Sequence, residues 1–164
     1  MPLLSAGAKA PAFRLITTRG ERFSLSEGLA RGPVLLAFFK VSCPTCQFTF
    51  PFLQRLFEQL RGDGVQIWGI VQDQAKNGAL FAEAFGVTFP VLVDDSPYKV
   101  SQAYGLTHVP SLFLVQPDGN IEHSGHGFSK ADVLAIQHSL AQAYSAVPPA
   151  LFLPTERIPE FKPG

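Results

Sequence analysis

The chain has 164 residues, of which 46% are hydrophobic and 15 are Phe, enough to bury a sizeable core without disulfide staples. Basic and acidic residues balance at 13 each and no long basic run occurs, so nothing points to nucleic acid or to an anionic membrane surface as a partner. No segment approaches membrane-spanning length, and the start, Met1 to Ala10, lacks the charged-then-apolar pattern of an export signal. A cytoplasmic location is therefore expected, with the reservation that a mature form freed of a signal would also begin with Met.

In chain order, Phe13–Thr17 and Arg22–Leu25 flank Thr18-Arg19-Gly20-Glu21 and read as a small hairpin, followed by a helical turn at Ser26. Val34–Lys40 is a continuous apolar run, as expected of a strand buried on both faces. Phe48, Phe52, Leu53, Leu56, Phe57 and Leu60 then recur at helical spacing, and Gly62-Asp63-Gly64 stops the helix. Pro51 lies inside it, where proline removes a hydrogen bond and bends the axis. Val65–Val71 is a second buried strand, Gln74–Phe85 a helix with Gly86 just past its end, and Val91–Val93 a short strand. Asp94-Asp95-Ser96-Pro97 reads as a helix start, with Tyr98, Val100 and Tyr104 as its large residues and Gly105 as its stop. Ser111–Val115 and Ile121–Gly125 are joined by Gln116-Pro117-Asp118-Gly119-Asn120, a strong hairpin signal, and Lys130–Tyr144 is the last helix. Parallel and antiparallel strands with helices on both faces make a three-layer α/β/α sandwich around a central mixed sheet with an N-terminal hairpin, over residues 1–146. Residues 147–164 are a Pro-rich C-terminal tail. Its prolines favour an extended or disordered chain, whereas Leu151, Phe152, Leu153, Ile158 and Phe161 favour packing on the domain or on a neighbouring subunit.

The chemistry concentrates at Cys43-Pro44-Thr45-Cys46, which holds the only two cysteines. Cys43 falls at the N-cap of the helix and Pro44 at its first position, where a fixed φ suits the helix and the missing N–H had no partner in any case. Unpaired N–H groups and the positive end of the helix dipole favour thiolate there. Cys43 is expected to be exposed and nucleophilic. Cys46, one turn along and turned inward, is expected to resolve the mixed disulfide. A structural zinc site needs four ligands, and there is no second C-x-x-C; His123 and His126 lie in a separate strand-like segment. Neither a metal nor an organic cofactor is expected.

Four segments together resemble the thioredoxin-fold redoxins of the AhpC/TSA branch, which includes the cytochrome-maturation thioredoxins. They are Gly7–Leu15, Phe38–Cys46, Phe85–Pro90 and Tyr104–Val115 running into Pro117-Asp118-Gly119, in that order over roughly Gly7 to Tyr144. The resemblance implies a thioredoxin-like fold and a thiol–disulfide oxidoreductase that exchanges disulfides with protein substrates and is recharged by an electron-donating thiol system. It also implies that Val109-Pro110 is a cis peptide beside the dithiol, leaving the Val109 backbone free to pair with an extended substrate chain.

Three positions depart from that pattern. Ala37 stands where thioredoxins carry a buried acid, Ser42 where a tryptophan precedes the first cysteine, and Thr49 where cytochrome-maturation relatives often carry glutamate. The usual proton acceptor is thus missing. Lys40, Asp73, His108 and His126 are substitutes to consider, with Pro44, Thr45 and His108 as tuning residues; His108 comes first because its loop lies against the dithiol in this fold. Two alternatives remain open. A thiol peroxidase of the same branch has a proline seven residues and a Thr or Ser three residues before its cysteine. Here those places hold Phe39 and Cys43 counted from Cys46, or Leu36 and Lys40 counted from Cys43. A metal-binding thiol module is the other.

Overall fold

A computed structural model describes residues 2–164. The central sheet has seven strands: β1 (Arg14–Thr17), β2 (Arg22–Ser24), β3 (Val34–Phe39), β4 (Gln66–Val71), β5 (Val91–Val93), β6 (Ser111–Val115) and β7 (Ile121–His126), in the order β2-β1-β5-β4-β3-β6-β7. β3, β4 and β5 run parallel, while β6 lies antiparallel to β3 on its other side. Every side chain of β3 and β4 is buried. Strict alternation divides them: Leu35, Ala37 and Phe39 enter one core, and Val34, Leu36 and Phe38 the other.

The first core is covered by α2 (Pro44–Leu60), α3 (Ala75–Phe85) and α5 (Lys130–Ala143). Phe50 is fully buried there, its ring 4.3 Å from that of Phe39, 5.4 Å from Phe81 and 5.9 Å from Phe89. The second core lies under α1 (Leu25–Leu29), α4 (Lys99–Ala103) and the N-terminal segment, which runs beside β7 through hydrogen bonds such as Gly7 N–H to Ile121 O and Ile121 N–H to Ala8 O. The expected layered sandwich is the observed one.

Three local readings need correction. The second hairpin strand ends at Ser24, not Leu25, because the Ser24 hydroxyl caps α1, the expected helical turn at Ser26, by accepting from Glu27 N. Asp94-Asp95-Ser96-Pro97 is not a helix start. Tyr98 takes a left-handed φ of 60° and α4 begins only at Lys99, its first-turn amides Val100 N and Ser101 N, with Ser101 Oγ, donating to the buried Asp94 carboxylate upstream. A second small sheet is new: β8 (Phe128–Ser129) pairs antiparallel with β9 (Phe161–Lys162), drawn from the Pro-rich tail.

That tail packs along α2 and α5. Leu151 is buried, and the Phe152 ring sits 5.0 Å from Phe52 and 6.1 Å from Phe128. Arg55 holds both carboxylate oxygens of Glu156, at 2.6 and 2.7 Å, and also donates to Leu151 O. Those Arg55 hydrogen bonds, aided by the Leu153 amide, lower the Glu156 carboxyl to about 2. A depressed acid contributes stability that is whole above its unfolded value and is lost as pH falls through its folded one. The stability difference between the native chain and Glu156→Gln is therefore expected to be constant near neutrality and to shrink as pH drops from about 4.5 to about 2, read by chemical denaturation at each pH. At the centre of the first core, Phe50→Ala is expected to cost about 3–5 kcal/mol, seen as a lower denaturation midpoint with an unchanged slope.

Candidate active site

β3 ends beneath the dithiol. From its last residue the chain turns through Lys40–Ser42, with Cys43 N–H bonded to Lys40 O at 3.2 Å, and enters α2. The peptide of Val41 is clamped from two sides, its N–H by Asp73 Oδ2 at 2.9 Å and its C=O by Gln47 Nε2 at 3.0 Å. Asp73 is thus the loop's cap. Cys43 is the N-cap of α2, with φ −81° and ψ 114°, and Pro44 opens the helix. The Cys43 sulfur accepts the Cys46 amide at 3.1 Å, so one of the helix's unpaired N–H groups is aimed at the sulfur itself.

Both thiols are free, Cys43 half-buried and Cys46 fully buried. The first is less open than expected. The second belongs to the α2-side core, which also holds Ala37, Phe39, Phe50 and Leu53. Burial first, and then the hydrogen bond of its thiol to Cys43, hold Cys46 well above the ordinary cysteine range. In the reduced protein, Cys46 is therefore a neutral thiol at physiological pH.

Val109 and Pro110 lie against this pair. Their peptide bond is cis, and the Cys43 thiol donates to Val109 O at 3.4 Å. Gly127 N–H, at a φ of +72°, holds Pro110 O at 2.8 Å and so ties this loop to the end of β7. Thr45, between the cysteines, is buried and donates to Pro163 O at 2.6 Å. The other considered residues sit as follows. Exposed His108 hydrogen-bonds Thr107 through Nδ1 and stacks on exposed His126, ring centres 5.1 Å apart. Lys40 is exposed at the strand end. Thr49 turns inward and donates to Thr45 O at 2.7 Å. Among the described residues no three metal-ligating side chains converge. The place three residues before Cys43 is held by the Lys40 ammonium, and the place seven before it by the core residue Leu36.

The AhpC/TSA family model matches residues 6–124, from the N-terminal segment to the middle of β7. The chain belongs to the AhpC/TSA family. It is 32% identical over 119 residues to thiol-disulfide oxidoreductase ResA of Bacillus subtilis (strain 168), a match that spans 72% of this chain and 65% of that protein, just under two thirds of its length. Among solved structures it resembles a thiol:disulfide interchange protein of the thioredoxin family from Chlorobium tepidum TLS, with a TM-score of 0.69, 25% identity, and 86% and 99% of the two chains covered. The thioredoxin domain of a thiol-disulfide oxidoreductase from Bacteroides vulgatus superposes with a TM-score of 0.73 at 22% identity, covering 83% of this chain and 97% of that one. The fold of this AhpC/TSA member is thioredoxin-like.

What sequence reasoning missed at the site is its own tail. Phe161–Gly164 reaches the Cys43–Cys46 turn from more than a hundred residues away, and only the short Phe161-Lys162 stretch between Pro159 and Pro163 marks it as able to form a strand.

The burial of Cys46 has a direct chemical readout. In Cys43→Ser, Cys46 is expected to alkylate slowly in the folded protein, with no rise through about pH 8.5, where an unburied thiol titrates. The same thiol in denaturant is expected to show that rise, and an ordinary profile in the folded protein would mean that the core opens to it.

Proposed function

We propose that this protein is a thiol–disulfide oxidoreductase acting on the cysteines of other proteins through Cys43 and Cys46. The observation that carries the reading is the Cys43 sulfur at a helix start, held by the Cys46 amide at 3.1 Å and facing the Val109 carbonyl at 3.4 Å.

In the reducing direction, the Cys43 thiolate attacks one sulfur of a substrate disulfide. The Cys43–substrate bond forms as the substrate S–S bond breaks, and the first substrate sulfur leaves as a thiolate. Cys46 then gives up its proton, attacks the Cys43 sulfur and releases the second substrate sulfur. Two electrons have passed from the protein dithiol to the substrate. Because burial holds Cys46 neutral, this second step waits on removal of its proton. The thiolate just expelled, beside the partly open Cys43, is the nearest acceptor that the reaction itself provides. The Val109-Pro110 rim supplies backbone to which an extended substrate can pair, and an external thiol donor returns the Cys43–Cys46 disulfide to the dithiol. Every step uses sulfur and protons alone.

Reduction of insulin by dithiothreitol is expected to be accelerated by the native chain and to fall to the uncatalysed rate with Cys43→Ser. Cys46→Ala is expected to accumulate a mixed disulfide with the substrate, visible by mass and discharged by added thiol. Native-level insulin reduction by Cys43→Ser would overturn the assignment.

A further inference from the structure

Residues 160–164 converge on the groove that the proposed chemistry needs open. Lys130 N–H donates to Glu160 O at 2.9 Å, and Phe161 and Lys162 pair with Ser129 and Phe128 as β9 against β8. The Lys162 ammonium stands 4.6 Å over the Phe48 ring, one turn along α2 from Pro44 and Thr45. Thr45 Oγ1 donates to Pro163 O at 2.6 Å. Gly164 then lies so close to Val109 that a Cβ there would run into the Val109 carbonyl oxygen, the same atom that accepts the Cys43 thiol. The backbone is also tight at Gly127, where an added Cβ would meet Lys162 O at 2.5 Å. An extended strand of this chain therefore lies between the dithiol turn and the cis-proline loop, bonded to the residue between the two cysteines.

We propose that residues 160–164 are an internal strap over the substrate groove, which has to lift before a partner polypeptide can reach Cys43. This rests on the oxidoreductase reading for what the groove receives, though not for the fact that it is covered. The tail is built for such a motion. Its anchor, Leu151, Phe152 and the Arg55–Glu156 pair, is separate from its covering end, where Phe161 is half exposed and a two-residue ladder does the holding. When only the lifted form is competent, the apparent rate falls by the fraction lifted. A small disulfide needs only the sulfur, whereas a folded protein needs the groove.

The test keeps the chain at full length. In one variant Phe161→Gly, Lys162→Gly and Pro163→Gly are combined, removing the ladder preference and the cation over Phe48; in a second, Gly164→Leu crowds the Val109 carbonyl. Two rates are measured for each. One is labelling of Cys43 by a polymer-linked maleimide in a Cys46→Ala background, which requires no turnover; the other is insulin reduction. Both are expected to rise about tenfold in the triple-glycine variant, with hydroxyethyl disulfide reduction changing by less than about twofold. The peptide Glu-Phe-Lys-Pro-Gly added at millimolar concentration is expected to slow the variant again. Unchanged labelling in both variants overturns the strap, and slower insulin reduction with unchanged labelling overturns it in favour of a substrate-recruiting tail. Faster labelling in chains that reduce no insulin upholds the cover and removes the oxidoreductase reading instead.

Discussion

The geometry at the dithiol depends on the burial of one strand. β3 exposes no side chain on either face, and its register is fixed on both sides, by Ala37 against Gly69 of β4 and Leu112 of β6. Slipping it by one residue would exchange the side chains of the two cores, a rearrangement that two packed faces oppose at once. Its C-terminal end is therefore a fixed point. Phe39 O receives Gln72 N, which brings the exit of β4 alongside, and Asp73 can then hold Val41 N. From that clamp the turn to Cys43 follows, and from Cys43 the start of α2. The sulfur is aimed by the sheet as much as by the helix.

This dependence explains which parts could be read from the sequence. β3 and β4 were legible because burial on both faces leaves an unbroken apolar run, and the turn between β6 and β7 because Pro117-Asp118-Gly119 encodes it locally. The dithiol at a helix start was legible for the same reason: Cys43, Pro44 and the apolar spacing of α2 are neighbours in sequence. Non-local partners left no such trace. Asp94–Pro97 reads as a helix start, but Asp94 serves the first turn of α4 from a distance, its carboxylate accepting from Val100 N, Ser101 N and the Ser101 hydroxyl across a left-handed Tyr98. The tail's prolines and its apolar residues argue opposite ways, and Arg55 and Phe52, about a hundred residues earlier, decide the contest. Half-burial of Cys43 has the same non-local origin, since the Val109 loop lies against it.

Two of the departures from the thioredoxin pattern, Ala37 and Thr49, share a physical consequence at Cys46. An acid in place of Ala37 would lie in the α2-side core beneath the sulfur; here that core offers hydrocarbon. An acid in place of Thr49 would be a proton acceptor one turn further along α2; instead a hydroxyl faces inward and gives its proton to Thr45 O. Asp73, the nearest carboxylate in the loop, already accepts from Val41. The two places where relatives carry an acid thus hold a methyl group and a hydroxyl bonded along the helix, and Asp73 holds the loop. An uncharged Cys46 suits such a core, because a buried thiolate without a partner would be costly to hold there. The two sulfurs are consequently divided in kind: Cys43 is half-buried between the Cys46 amide and the Val109 carbonyl, whereas Cys46 is held as a neutral thiol inside the core. On the proposed exchange reaction, burial of that one sulfur would make the second step depend on removal of its proton, with no acidic side chain in the Ala37 or Thr49 place to take it.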